Sequence, residues 1–93
     1  MNEQQFENAM WWIDRMALET VKEYRIWESQ TEPGEMEEHY ERMMGRMGEI
    51  VATINLIARS RFGTGEARAK IEKTIEWLNG HLAKHQICIR LRG

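Results

Sequence analysis

The amino-acid sequence predicts an all-α protein. Its plan is a long antiparallel helical hairpin, residues 3–29 and 33–62, with a third helix, 65–85, packed back on it and a short tail, 86–93. Three observations carry this reading. Apolar residues recur three or four apart through all three segments, as one face of a helix requires. The single proline, Pro33, falls with Gly34 in the stretch SQTEPGE between the first two segments. A second break, at Gly63, Thr64 and Gly65, separates the second segment from the third.

In the first helix, Asn2 is placed to serve as N-cap and Glu3 stands at the positive end of the dipole. Its apolar positions are Phe6, Met10, Ile13, Ala17, Val21, Tyr24 and Trp27, while Trp11, Trp12, Leu18 and Ile26 do not all fit that face. Neighbouring tryptophans lie about 100° apart around a helix and cannot both face one neighbour. Trp11 and Trp12 are therefore the candidate protein-contact residues. The helix is expected to end near Ser29, with Ser29 or Thr31 as capping residues and Pro33 in the first turn of the next helix. So short a connection makes the two helices antiparallel neighbours.

The second helix carries the longest apolar stripe: Met36, Tyr40, Met43, Met47, Ile50, Ile54 and Ile57. A helix of about 25 residues is roughly 38 Å long and needs another surface to cover such a stripe. Met44, Val51 and Ala58 form a second stripe beside it, and Leu56 adds exposed apolar surface. Two partner helices, one on each side, explain this width better than one. Gly45 and Gly48, in the motif GRMG, each cost a helix about 1 kcal/mol relative to alanine. The favoured explanation is close approach of another backbone or a Trp ring, with a kink as the competing one.

The junction, residues 59–73, is the most basic part of the chain. Gly63 is expected to stop the second helix, and Thr64 to cap the third with Glu66 in its first turn. Free N–H groups at a helix start attract anions, and arginine adds a planar fork suited to phosphate or carboxylate. Arg59, Arg61, Thr64, Gly65, Arg68, Lys70 and Lys73 are therefore the candidate anion-binding residues, for a small phosphorylated ligand or nucleotide. FGTGEA lacks the Lys and Ser/Thr of a phosphate-binding loop, and no strand precedes it. A solvated or intersubunit-paired basic face is the ordinary alternative.

In the third helix the apolar positions are Ala67, Ile71, Ile75, Leu78 and Leu82, a seam that is expected to fit onto the second helix. Asn79 and Gly80 resemble a turn, yet the period continues through them. The tail then changes period: Ile87, Ile89 and Leu91 alternate with Cys88, Arg90 and Arg92. An extended segment without a partner leaves N–H and C=O groups to satisfy. Pairing with another subunit's tail, an arm, fraying and a continued helix are the alternatives. His81, His85 and Cys88 share spacing that suits zinc only if the helix runs through all three, and no clear ligand pairs accompany them. No metal and no cofactor is expected.

Ninety-three residues make one small domain, which buries only about 60–65% of the surface its unfolded chain exposes. A homodimer or higher helical assembly follows. Residues 1–44 carry eleven Asp and Glu against four Lys and Arg, a net of −7, whereas residues 45–93 carry four against nine, a net of +5. A total of −2 argues against a general nucleic-acid binder, while the split makes one part acidic and another basic. Cys88 is the only cysteine, no apolar run spans a membrane and the N-terminus is acidic, so a cytoplasmic protein is expected. With no nucleophile, metal cluster or acid–base pair, the sequence reads as a non-enzymatic binding protein, a regulator, inhibitor or adaptor. The alternative is sequestration of a small phosphorylated ligand, and the least favoured is binding to nucleic-acid backbone.

Overall fold

The structure, a computed structural model, describes residues 1–91. It is all-helical: α1 spans Glu3–Ser29, α2 Pro33–Ala58 and α3 Gly65–Leu82, with short 3-10 turns at Arg61–Gly63 and Ala83–His85. Among the described residues there is no strand, and no helix is long and apolar enough to cross a membrane.

Asn2 begins α1 with a capping box. Its side-chain oxygen accepts from the Gln5 N–H at 2.8 Å, and the Gln5 side chain accepts from the Asn2 N–H at 2.8 Å. Two of the four orphan donors at the helix start are thereby satisfied. Pro33 is the first residue of α2, where its missing N–H costs nothing. Neither expected cap serves that start: Glu32 occupies the position without a side-chain bond, and the Ser29 hydroxyl donates back to the Ile26 carbonyl.

α1 and α2 pack closely along their lengths. Between them lie Ile13, Ala17, Val21 and Tyr24 from α1 and Met43, Met47, Ile50, Ile54 and Ile57 from α2. Each Val, Ile or Met among them, fully buried, contributes about 1.5–3 kcal/mol before the entropy of ordering is subtracted. Among the described residues Thr20 is the one buried polar residue, and its hydroxyl donates to the Met16 carbonyl at 2.7 Å.

The second helix stops at Ala58, four residues before the expected end. Ser60 is the cause. Its hydroxyl donates to the Ile57 carbonyl at 2.7 Å and accepts from the Phe62 N–H at 3.2 Å, so a side chain replaces the next helical bonds. The 3-10 turn that follows brings the Phe62 ring onto Phe6, stacked at 4.7 Å. Gly63 is therefore not the stop of α2 but the last residue of this turn, at a place where a Cβ would lie 2.8 Å from the Ala58 carbonyl oxygen.

α3 packs chiefly against α1, not against α2 as its apolar seam suggests. Ala17 of α1 and Thr74 of α3 line the same groove between the two helices, and the Thr74 hydroxyl donates across it to the Asp14 carboxylate at 2.9 Å. The third helix is α-helical only to Leu82, and its last turn tightens to 3-10. Gln86 then adopts a left-handed conformation, φ 60°, that ends the helical path.

The tail keeps its period of two. Ile89 is buried, Ile87 and Leu91 are half-buried against the core, and Cys88 and Arg90 are exposed. Asn79 resolves where its hydrogen bonds go. The Asn79 amide accepts from the Ile89 N–H and donates to the Ile89 carbonyl, both at 2.8 Å, as a neighbouring strand would. Residues 92 and 93 of the expected tail lie outside the described residues.

The glycines of GRMG do not mark a close approach within the chain. Gly45 and Gly48 are exposed in an unbroken α2, with nothing within 4 Å of a Cβ at either.

Candidate functional site

Large apolar side chains are left in water on all three helices, Tyr40, Val51 and Leu56 on α2 among them, but three of them share the groove between α1 and α3. Trp11 is 63% exposed, Leu18 53% and Trp77 43%. Leu18 follows Trp11 by seven residues, two helical turns, so both stand on one face of α1. Trp77 follows Lys70 by the same interval on α3.

The two helices present these residues across a shallow groove, level by level. Glu7, Met10 and Trp11 face Lys70 and Lys73 at one level. Asp14 and Thr74 meet in the middle, where the Thr74 hydroxyl donates to the Asp14 carboxylate at 2.9 Å. Leu18 faces Trp77 at the next level. Neither Lys70 nor Lys73 has a carboxylate within 4 Å among the described residues, although Glu7 and Asp14 line the same groove. Trp12, 38% exposed, lies on a second shallow groove between α1 and α2, lined also by Arg15, Glu19, Arg46 and Glu49, and Trp11 stands on the rim shared by both grooves.

The basic corner is divided rather than gathered. Lys70 and Lys73 belong to the α1 side of α3. Arg68, about 200° from Lys70 around the helix, lines a groove with Val51, Ala58 and Leu91 on the opposite side. It also pairs with Glu72 at 3.0 Å. Arg61 lies over the Phe62 ring at 4.7 Å, and Arg59 is the exposed C-cap of α2. Thr64 occupies the N-cap position of α3 but makes no side-chain cap bond, and Gly65 takes φ +66°, a conformation other residues resist. These residues do not converge on one point.

The histidine-rich end does not converge on a metal either. His81 packs edge-on against Trp77, and His85 packs edge-on against Trp27 and Tyr24. Cys88 is exposed in the tail, and among the described residues no three His, Cys, Asp or Glu come together to hold an ion. His85 instead meets Glu28 at 3.1 Å, with the Lys84 ammonium 3.3 Å from the same carboxylate. These bonds, His85 foremost and then Lys84, hold the Glu28 carboxyl below its ordinary range. Burial, reinforced by the nearby Glu28 charge, pushes the Tyr24 phenol up. A second cross-helix pair, His39 with Glu23 at 2.7 Å, ties α2 to α1 at this end.

Leu18 and Trp77 join Trp11 as contact candidates that the sequence reading passed over. The seven-residue interval from Trp11 to Leu18 was available, but the pairing of α1 with α3 was not. Comparison of the chain with protein-family models, with curated proteins and with solved structures found no match.

Proposed function

We propose that this is a non-enzymatic helical protein that acts through protein–protein contacts, and that the α1–α3 face is where contact is made. The observation that carries the reading is the exposure of Trp11, Leu18 and Trp77 along one groove. A single exposed leucine is ordinary. Three large apolar side chains on one face, two of them tryptophan, have the composition of an interface core.

The scaffold is read as an antiparallel hairpin of α1 and α2 with α3 running parallel to α1. In its support, Trp27 meets Tyr40 near the connection, while Met1 reaches Ser60 at the far end. Partners on this reading are a further copy of the chain or another protein, in a reducing compartment such as the cytoplasm. The basic corner supports a phosphorylated ligand less well, because Arg68 and the two lysines open onto different sides of α3.

A benzophenone side chain placed at position 11 or 77, with position 37 as an exposed control, tests the proposal. Irradiation in cells should give polypeptide adducts at 11 and 77, of this chain or another, and few at 37. Absence of polypeptide adducts at both positions refutes it. Tryptophan quenching by a nucleotide at micromolar concentration, lost when Lys70 and Lys73 become Gln, would favour the ligand alternative instead.

A further inference from the structure

We propose that the α1–α3 face joins two copies of this chain about a two-fold axis running along the groove. The inference rests on the contact reading above and names the occupant of that face.

The face is chemically two-sided, and the two sides are complementary to each other. Its α1 edge carries Glu7 and Asp14; its α3 edge carries Lys70 and Lys73. The lysines find no carboxylate within 4 Å in their own chain among the described residues. A two-fold axis parallel to the groove lays α1 of one copy over α3 of the other while keeping every residue at its own level. Glu7 then stands over the second copy's Lys70. Trp11 covers the two lysine heads, where a ring face attracts a cation. Leu18 seats on the second copy's Trp77, and each contact occurs twice. An axis across the groove would instead lay α1 on α1, placing carboxylates against carboxylates. Charge thus selects the axis.

Size agrees. A stable interface needs about 800 Å² from each partner, and a body of 45 × 21 × 16 Å offers a broad face of that order. An isologous contact also closes after two copies, so it yields a dimer and no filament.

Sedimentation equilibrium on the full chain from 1 to 100 μM, at low and high salt, tests this. The expected result is a dimer. Lys70→Glu and Glu7→Lys, both at exposed positions, each create two repulsive contacts and should weaken it by about 100-fold, taking roughly tenfold per contact. An equimolar mixture of the two variants should recover dimer as the mixed species, detected by native mass spectrometry. Trp11→Ala should also dissociate it, with circular dichroism confirming an intact helical fold. A wild-type monomer throughout the range overturns the proposal, as does a dimer indifferent to both charge reversals or a mixture no tighter than either variant alone. If the wild type is monomeric while position 11 captures only other polypeptides, the two-fold reading fails and the contact reading stands.

Discussion

Replacing Asn79 with alanine should release the tail from the helices. The Asn79 amide makes two hydrogen bonds to one residue, Ile89, at 2.8 Å each, and Ile89 is 6% exposed. Truncation removes both partners and leaves a buried N–H and a buried carbonyl. A typical hydrogen bond contributes about 1 kcal/mol net, and an orphaned buried group costs about 1–3 kcal/mol. The expected loss is therefore about 2–3 kcal/mol, a large share of the roughly 5–15 kcal/mol that holds a domain together. It should lower Tm by about 10–20 °C at the usual 4–8 °C per kcal/mol for a domain of this size. The tail has an escape, however. If it detaches while the helices stay folded, the global loss is capped at the free energy of docking, and hydrogen exchange at the Ile89 amide will accelerate more than at Ile50. Urea unfolding and exchange should therefore be measured together, beside Ile89→Ala, whose own cost is about 2–5 kcal/mol. In the double variant the two losses should not add, because either change alone undocks the same segment. Full additivity, or an Asn79→Ala protein with unchanged stability and unchanged Ile89 exchange, would refute the clamp.

The glycines should divide by their surroundings. Gly63→Ala drives a Cβ to 2.8 Å from the Ala58 carbonyl oxygen and should cost about 1–3 kcal/mol in urea unfolding. Gly45→Ala and Gly48→Ala enter open space within a helix and should each stabilise by about 0.5–1 kcal/mol. Glu28→Gln should destabilise at neutral pH, and the deficit should depend on acid. The native carboxyl titrates below its ordinary value of 4.5, so the stability it supplies is present above that pH. As pH falls through the lower, native value that contribution disappears. The difference between wild type and Glu28→Gln, measured from pH 7 to pH 3, should close at the acid end; a constant gap would mean that the carboxylate's charge is irrelevant.

Much of the scaffold was legible in the pattern of apolar residues. Met43, Met47, Ile50, Ile54 and Ile57 are buried because a spacing of three and four puts them on one side of α2. Asn2 and Pro33 announced helix starts through chemistry local to each position. What escaped was set by side chains acting over distance or against propensity. The expected end at residue 62 rested on Gly63 as the stop, but the Ser60 hydroxyl captures the backbone first. The Asn–Gly pair at 79–80 resembles a turn, and only the tail's return from ten residues away shows the amide to be a clamp. The docking of α3 on α1 brings together residues about sixty positions apart, such as Asp14 and Thr74, which no single periodicity encodes. For the same reason Leu18 reads as a residue off the main face of α1, and Trp77 as a flank of the α3 seam. Helical phase alone separates Arg68 from Lys70 by about 200°, a division of the basic corner that was legible once the segment was read as a helix.

The two exposed glycines of α2 have a consequence for its shape. Met43, Met47 and Ile50 press one side of the helix into the core, while on the other side Gly45 and Gly48 place nothing between the backbone and water. Solvent that reaches those carbonyls lengthens their hydrogen bonds and bows a helix outward, convex toward the water. Mid-length of α2 is therefore where a change in hydration would act on the helix most directly. A methyl group at either position would shield those carbonyls from water without touching another side chain, so the effect of Gly45→Ala or Gly48→Ala on α2 is one of backbone hydration and chain entropy, not of packing.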